Sequence, residues 1–399
     1  MIISILGTSG AKLDTKNCIP EKDTNGDIKL FEKATYDLSI LEKKEKSYQN
    51  ATQLLLEEFD DKFIFIGTSC AIKFQKELLK ENLKNKDVTF KEVGENDLDE
   101  VFEKIYNTLD TTEDIILDIT HGFRHQPIMA IFASTLSQFL ERKNLKIIFA
   151  KEEERNKRYS YIYLDDYIEI TQISLLLTGF IRTLNFIPVK NLKLVNNGIF
   201  EDFSKALLSN DLKGVETQTQ KLFEHLEEIH KTASLAHLTP IIVQIKEELK
   251  DLENFQDKQT YKKYLTLSKL MLDKNYLIIA LSYLFESLRE YCTQQFRSIL
   301  DGKVKFKNGY EKNTAVMDTI GNFKRNNRPN KIQKQFPNLY DKNKSQFIRI
   351  SKVYGDIRTL RNDLAHINKH KKFDDIHKNI NQLLFKIESI YKDELLKNM

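Results

Sequence analysis

Short apolar runs, each closed by glycine and hydroxyl residues, punctuate the first third of the chain. Ile2-Ile3-Ser4-Ile5-Leu6 leads into Gly7-Thr8-Ser9-Gly10, and Phe63-Ile64-Phe65-Ile66 into Gly67-Thr68-Ser69. Ile115-Ile116-Leu117-Asp118-Ile119 leads into Thr120-His121-Gly122. Nearly continuous apolar runs bounded by turn residues are how strands buried on both faces read. Helical periodicity fills the intervals at 48–59, 70–82, 98–109 and 127–140, and two further strands are predicted at 146–150 and 159–164. This alternation predicts a Rossmann-like α/β domain with a mainly parallel sheet and helices on both faces. The long connection 11–46 is expected to hold a small hairpin around 36–41.

Beyond Ile187-Pro188 the pattern changes. Glycine and strand-like runs become rare, and helical spacing takes over at 216–230, 238–252, 261–272, 275–297, 347–368 and 373–396. The predicted organisation is a sheet domain at 1–172, a bridging helix at 173–183 within a connecting segment 173–200, and an all-α domain at 201–399. One stretch, 302–346, holds eleven Lys or Arg against three acidic residues, with Phe306, Tyr310, Phe323, Phe336 and Tyr340 among them. Its composition reads as a basic insertion, partly disordered.

Composition narrows the class. A hydrophobic fraction of 41% supports packed cores, and 30% charged residues fit a soluble protein. The net charge of +4 is small, so a nucleic-acid surface requires local clustering. Cys18, Cys70 and Cys292 form no C-x-x-C pair and read as reduced thiols in a cytoplasmic protein. The start has no basic region or cleavage site, so no signal peptide is expected, and no apolar stretch reaches the ~20 residues needed to span a bilayer.

Ligands of open parallel sheets bind outside the carboxyl ends of the strands. Three such ends here carry glycine for close backbone approach and hydroxyls for hydrogen bonding: Gly7, Thr8, Ser9 and Gly10; Gly67, Thr68 and Ser69; and Thr120 with Gly122. The third continues into His121, Arg124, His125 and Gln126, then Pro127, a residue suited to a first helical turn. Helix amides, a guanidinium and two imidazoles together predict a phosphate-binding loop. The i, i+4 spacing of His121 and His125 also suits zinc, but Gly122 stands where H-E-x-x-H has its glutamate and no third ligand is evident. No metal is therefore expected. Gly7-Thr-Ser-Gly10 is not the G-x-G-x-x-G of a dinucleotide site.

The second informative stretch is Arg361-Asn362-Asp363-Leu364-Ala365-His366. Val353, Ile357, Leu360, Leu364 and Ile367 share one helical stripe, leaving Arg358, Arg361, Asn362 and His366 on the opposite face. These are the parts needed to cut RNA without metal. Histidine moves a proton, arginine steadies the charged phosphorane, and asparagine orients the phosphate. By itself, R-x-x-x-x-H also fits a solvated helix face.

In combination, LDITHGFRHQP after a central strand and RNDLAH near the end of a helical domain resemble the CARF–HEPN ribonucleases, accessory effectors of type III CRISPR antiviral systems. The resemblance covers nearly the whole chain, except the insertion 302–346. It implies an N-terminal CARF domain that binds cyclic oligoadenylate as allosteric activator, with no other cofactor. It further implies a HEPN domain in which Arg361 and His366 carry the chemistry and Asn362 positions, and whose earlier core helix is 275–297 with Glu286. The expected protein is a homodimer, or a higher oligomer, cutting single-stranded RNA gripped by Arg358, Lys324, Arg325 and Arg328. Slow ligand degradation involving Thr120 and His121 is a further expectation. Two other readings remain open: a catalytically silent sensor that recruits a partner, and a stand-alone HEPN toxin.

Overall fold

In the computed structural model, residues 1–110, 114–139, 145–189, 192–324, 327–365 and 372–396 are described. The chain divides into two compact units, Met1–Leu175 with Val189–Val195, and Leu176–Pro188 with Asn196–Met399.

The first unit is built on β1 (Ile2–Ile5), β2 (Leu13–Asp14), β3 (Ile19–Pro20), β4 (Ala34–Asp37), β5 (Lys46–Tyr48), β6 (Phe63–Gly67), β7 (Val88–Glu92), β8 (Ile115–Asp118), β9 (Leu145–Glu154) and β10 (Arg158–Tyr163). Eight of these form one sheet in the order β5-β4-β10-β9-β8-β1-β6-β7, while β2 and β3 pair separately. Within the eight-stranded sheet pairing is parallel except for β9 with β10 and β4 with β5, and β2 with β3 is antiparallel. The hairpin expected near 36–41 is β4–β5, turned through Ser39–Leu41.

Alternation along the central strands splits their side chains between two cores. Ile2, Phe63 and Phe65 face α1 (Ala51–Glu58) and α2 (Ser69–Leu78). Ile3, Ile5, Ile64, Ile66 and Leu117 face α3 (Leu98–Leu109) and α4 (His125–Phe139). Strand β7, which the pattern did not predict, is an edge strand whose Val88 and Phe90 alternate with polar positions.

Helix α5 (Asp165–Thr183) begins eight residues before the bridging helix expected from sequence. The second unit continues with α6 (Asn197–Leu208), α7 (Leu212–Lys231), α8 (Thr239–Glu248), α9 (Thr260–Asp273), α10 (Leu277–Gln295) and α11 (Arg297–Leu300). It ends with α12 (Gly309–Ile320), α13 (Lys331–Gln335), α14 (Leu339–Lys342), α15 (Lys344–Ala365) and α16 (Phe373–Lys392). Among the described residues no helix is long and apolar enough to cross a membrane.

Three expectations need correction. The segment read as a linker is structured: Leu194 N donates to Glu169 at 2.6 Å, Val195 is buried, and α6 buries Phe200, Phe203 and Leu207. The basic stretch 302–346 is not disordered where described. Ala315, Val316, Met317, Ile320 and Ile332 are buried, and Asn330 closes a capping box with Gln333. A lysine-rich composition concealed an apolar stripe of normal helical spacing. Finally, Cys18 and Cys70 are bonded to each other, and only Cys292 is a free, buried thiol. The fold brings the β2–β3 turn onto the start of α2, a proximity no spacing rule reveals. The cysteines therefore no longer argue for a reducing compartment.

Candidate functional site

Strands β1 and β8 are neighbours, so the loops that leave them meet at the carboxyl end of the sheet. A Cβ on Gly7 would lie 3.1 Å from Gly122 N and 3.3 Å from His121 Cβ, and Ser9 Oγ is 3.3 Å from His121 Nε2. The first loop is fixed from below by two fully buried amides. Gln75 donates to Gly7 O at 2.6 Å, Asn50 donates to Ser9 O at 2.8 Å, and Asn50 also donates to Gln75 at 3.1 Å. The second loop turns at Gly122, whose φ of +102° favours glycine. Gln126 Oε1 then accepts from Phe123 N at 3.0 Å and hooks the loop onto α4.

Among the predicted contacts, several are exposed or half-buried: Gly7, Thr8, Ser9, His121, Gly122 and Arg124. Others serve the scaffold. Thr68 caps α2 by accepting from Ala71 N, Gly67 is buried against Leu6, and Ser69 opens the helix. Gly10 is buried with φ +103°. The Thr120 hydroxyl donates to Asp118 at 2.5 Å and accepts from Ala150 N at 3.0 Å. His125 opens α4, its ring stacked on Phe123. His125 Nε2 and Gln126 Nε2 are buried without a protein partner. Unsatisfied buried donors and acceptors are costly, and a polar ligand or water relieves them.

Two titrating groups shape this surface, Asp118 buried beneath it and His121 half-buried within it. Burial pushes Asp118 up to about 6, against hydrogen bonds from Thr120 and Ser4 that hold it down. Burial alone lowers His121 to about 4. The signs of their linkage oppose. Asp118 binds a proton more readily in the folded state, so its contribution to stability falls as pH rises from 3.8 through 6. His121 resists protonation in the folded state, so its contribution falls as pH drops from 6.5 toward 4. Asp118→Asn should stabilise the protein at pH 7 by about 1–3 kcal/mol and expose the His121 slope, giving a steeper loss below pH 6.5 than wild type. Urea unfolding at stepped pH checks this; parallel curves for the two proteins would contradict it.

In the second unit, α10 and α15 pack together. Val353, Ile357 and Leu360 are buried and Leu364 is half-buried, as the stripe predicts; Arg358 and Asn362 are exposed and Arg361 is half-buried. His366 lies outside the described residues, as does Arg325; Lys324 and Arg328 are exposed. The Arg361 guanidinium sits 4.5 Å from the centroid of the Phe285 ring. Arg289, buried and paired with Glu286 at 2.8 Å, lies 5.3 Å from the same ring, and Tyr354 stacks on it at 4.9 Å. One aromatic thus gathers two guanidiniums, an arrangement suited to a phosphate. Burial raises the Tyr354 phenol, Arg289 and Arg358 pull it back, and Asp318 and Glu286 push it up.

Comparison with known proteins bears on the first unit. The family model for the CARF domain of CRISPR system endoribonuclease Csx1 matches residues 23–154. Residues 23–154 are thus similar to a CARF domain of the Csx1 family. No curated protein matches the chain. Among solved structures, Enterococcus italicus Csm6 bound to cyclic hexa-2'-fluoro-hexa-dAMP aligns over 98% of this chain and 92% of its own, with 11% identity and a TM-score of 0.47.

The face where the loops of β1 and β8 meet depends on residues that sequence reasoning missed. Asn50, which the sequence analysis did not single out, is the N-cap of α1, accepting from Gln53 N at 2.8 Å. Gln75 gave no signal, because its role needs β1 and α2 side by side. In the helical unit Phe285, Arg289 and Tyr354 were likewise invisible, since core aromatics and ring platforms look alike in a sequence. Among the described residues no group of three or more His, Cys, Asp or Glu side chains is placed to hold a metal ion.

Proposed function

We propose that this protein is a homodimeric, metal-independent, single-strand endoribonuclease of type III CRISPR defence, switched on when its CARF domain binds cyclic oligoadenylate in the cytoplasm. The Arg361 guanidinium, held over Phe285 beside Arg289 on a chain that also carries a CARF domain, supports this most directly. Arg361 stabilises the charged phosphorane, Asn362 orients the phosphate, and His366 transfers protons to or from the 2′-hydroxyl and leaving oxygens. The CARF loops supply backbone amides, Ser9, His121 and Arg124 to a ring of phosphates and bases, with Thr8 at the rim. Cleavage should leave 2′,3′-cyclic phosphate ends and continue in EDTA; a reaction that stops on chelation would overturn the metal-free chemistry.

One Arg361 and one His366 provide a single proton carrier, whereas strand scission needs a base and an acid. A two-fold dimer places a second set across the same groove. Ile128, Phe132 and Leu136, spaced by four along α4, are 49%, 57% and 44% exposed, and such an apolar stripe favours self-association. Phe132→Glu should yield monomers by sedimentation and lose most ligand-stimulated activity. A dimeric Phe132→Glu protein with normal activation would place the interface elsewhere.

A further inference from the structure

We infer that the insertion forms a nucleobase subsite, with Tyr310 as its stacking platform, feeding single-stranded RNA toward Arg361. This deepens the ribonuclease reading and rests on it. Tyr310, on the first turn of α12, is 72% exposed and so is not there to fill a core. It borders a cleft of about 480 Å³ lined also by Phe306, Asn308 and Asn330, by Lys307 and Lys331, and by the carboxylates Glu311 and Asp318. Lys331 Nζ lies 5.6 Å from the centre of the Phe306 ring. Lys331 is paired with Glu311 at 2.9 Å, so the cleft's aromatic faces and side-chain amides suit a base more than a phosphate.

The cleft connects to the proposed catalytic arginine. Tyr310 is 5.6 Å from the Arg289 guanidinium, Arg289 is 5.3 Å from Phe285, and Phe285 is 4.5 Å from Arg361. Ring and cation alternate from the insertion to the RNDLAH helix within one compact unit. Arg289 Nε is buried without a hydrogen-bond partner, so this cation retains unused donor capacity beside the path. A base stacked on Tyr310 would hold its strand at the exposed end of this series, directing the scissile phosphate toward the half-buried Arg361, with Arg289 supporting from beneath. Stacking is tolerant of base identity, so the subsite sets where the strand is gripped more than which base is read.

The test uses the full-length wild type, Tyr310→Ala and Tyr310→Phe, all with cyclic oligoadenylate. Two substrates are needed: a cleavable single-stranded RNA, and the same strand fully 2′-O-methylated with 2-aminopurine at one position. The alanine variant should bind the methylated strand about tenfold more weakly and lose 2-aminopurine quenching. It should show KM raised about tenfold with kcat within about twofold, whereas the phenylalanine variant should match wild type. A purely structural brace on Arg289 would instead lower kcat and leave KM alone, and that result overturns the inference, as does an alanine variant indistinguishable from wild type. If wild type binds and quenches the methylated strand but cuts nothing, the ribonuclease reading fails while the subsite stands. If wild type binds no RNA, the subsite falls.

Discussion

Arg361→Ala is expected to reduce RNA cleavage by about a thousandfold, the upper range for removing one charge-stabilising donor from an active site. The loss should appear in kcat, because the guanidinium does most as charge accumulates on the phosphorane. Stability should change little. Arg361 is half-buried, and its contact with Phe285 contributes about 0.5–1 kcal/mol at a partly exposed site. Arg361→Lys should recover only a small part of the activity, since an ammonium keeps the charge but neither the planar stack nor the two-pronged donor geometry. Initial rates with saturating activator, alongside thermal unfolding, check all three statements. An alanine variant that cuts at a tenth of the wild-type rate or faster would remove Arg361 from the chemistry. His366→Ala should be as severe, since residues 344–365 contain no histidine to take its place.

Gly122→Ala should disable the switch while leaving the ribonuclease unit intact. Backbone φ there is +102°, and a Cβ would sit 2.4 Å from Ile5 Cγ2 and 2.7 Å from Gln126 Oε1. Ile5 belongs to the sheet core and cannot retreat, so the loop must. Its movement would pull Phe123 N from Gln126 and His121 from Ser9, undoing the surface where the loops of β1 and β8 meet. The activator concentration for half-maximal cleavage should rise at least about a hundredfold. His121→Ala, which deletes one contact and leaves the backbone alone, should cost about tenfold, the order of one hydrogen bond to a charged group. Titrations of activator against cleavage rate compare the two directly. Equal activation curves for wild type and Gly122→Ala would place ligand binding away from this loop.

These predictions draw unequally on sequence and structure. The strands β1, β6 and β8 and their glycine-closed ends were legible because burial on both faces leaves an almost unbroken apolar run. The polar face of α15 was legible because period 3.6 separates Arg358, Arg361 and Asn362 from Val353, Ile357 and Leu360. Strand β7 was not, since an edge strand exposes alternate residues and its Thr89 and Lys91 dilute the pattern. The insertion was misread because eleven basic residues dominated its composition while Ala315, Val316, Ile320 and Ile332 supplied its core. The Cys18–Cys70 bond, the Gln75 brace and the Phe285 platform share one reason for being hidden. Each joins residues 52 to 76 positions apart, with sequence separations of 52, 68 and 76. Such meetings are set by how strands and helices are laid side by side, and periodicity along one element carries no information about them.

The most direct test of the account is cleavage of a single-stranded RNA by the full-length protein, measured across a titration of cyclic oligoadenylate rings of different size. A ligand-switched ribonuclease predicts near-silence without ligand, a saturable rise with the cognate ring, and no response to linear oligoadenylate of the same length. Cleavage that is equally fast with and without every ring, or absent under all conditions, would contradict it.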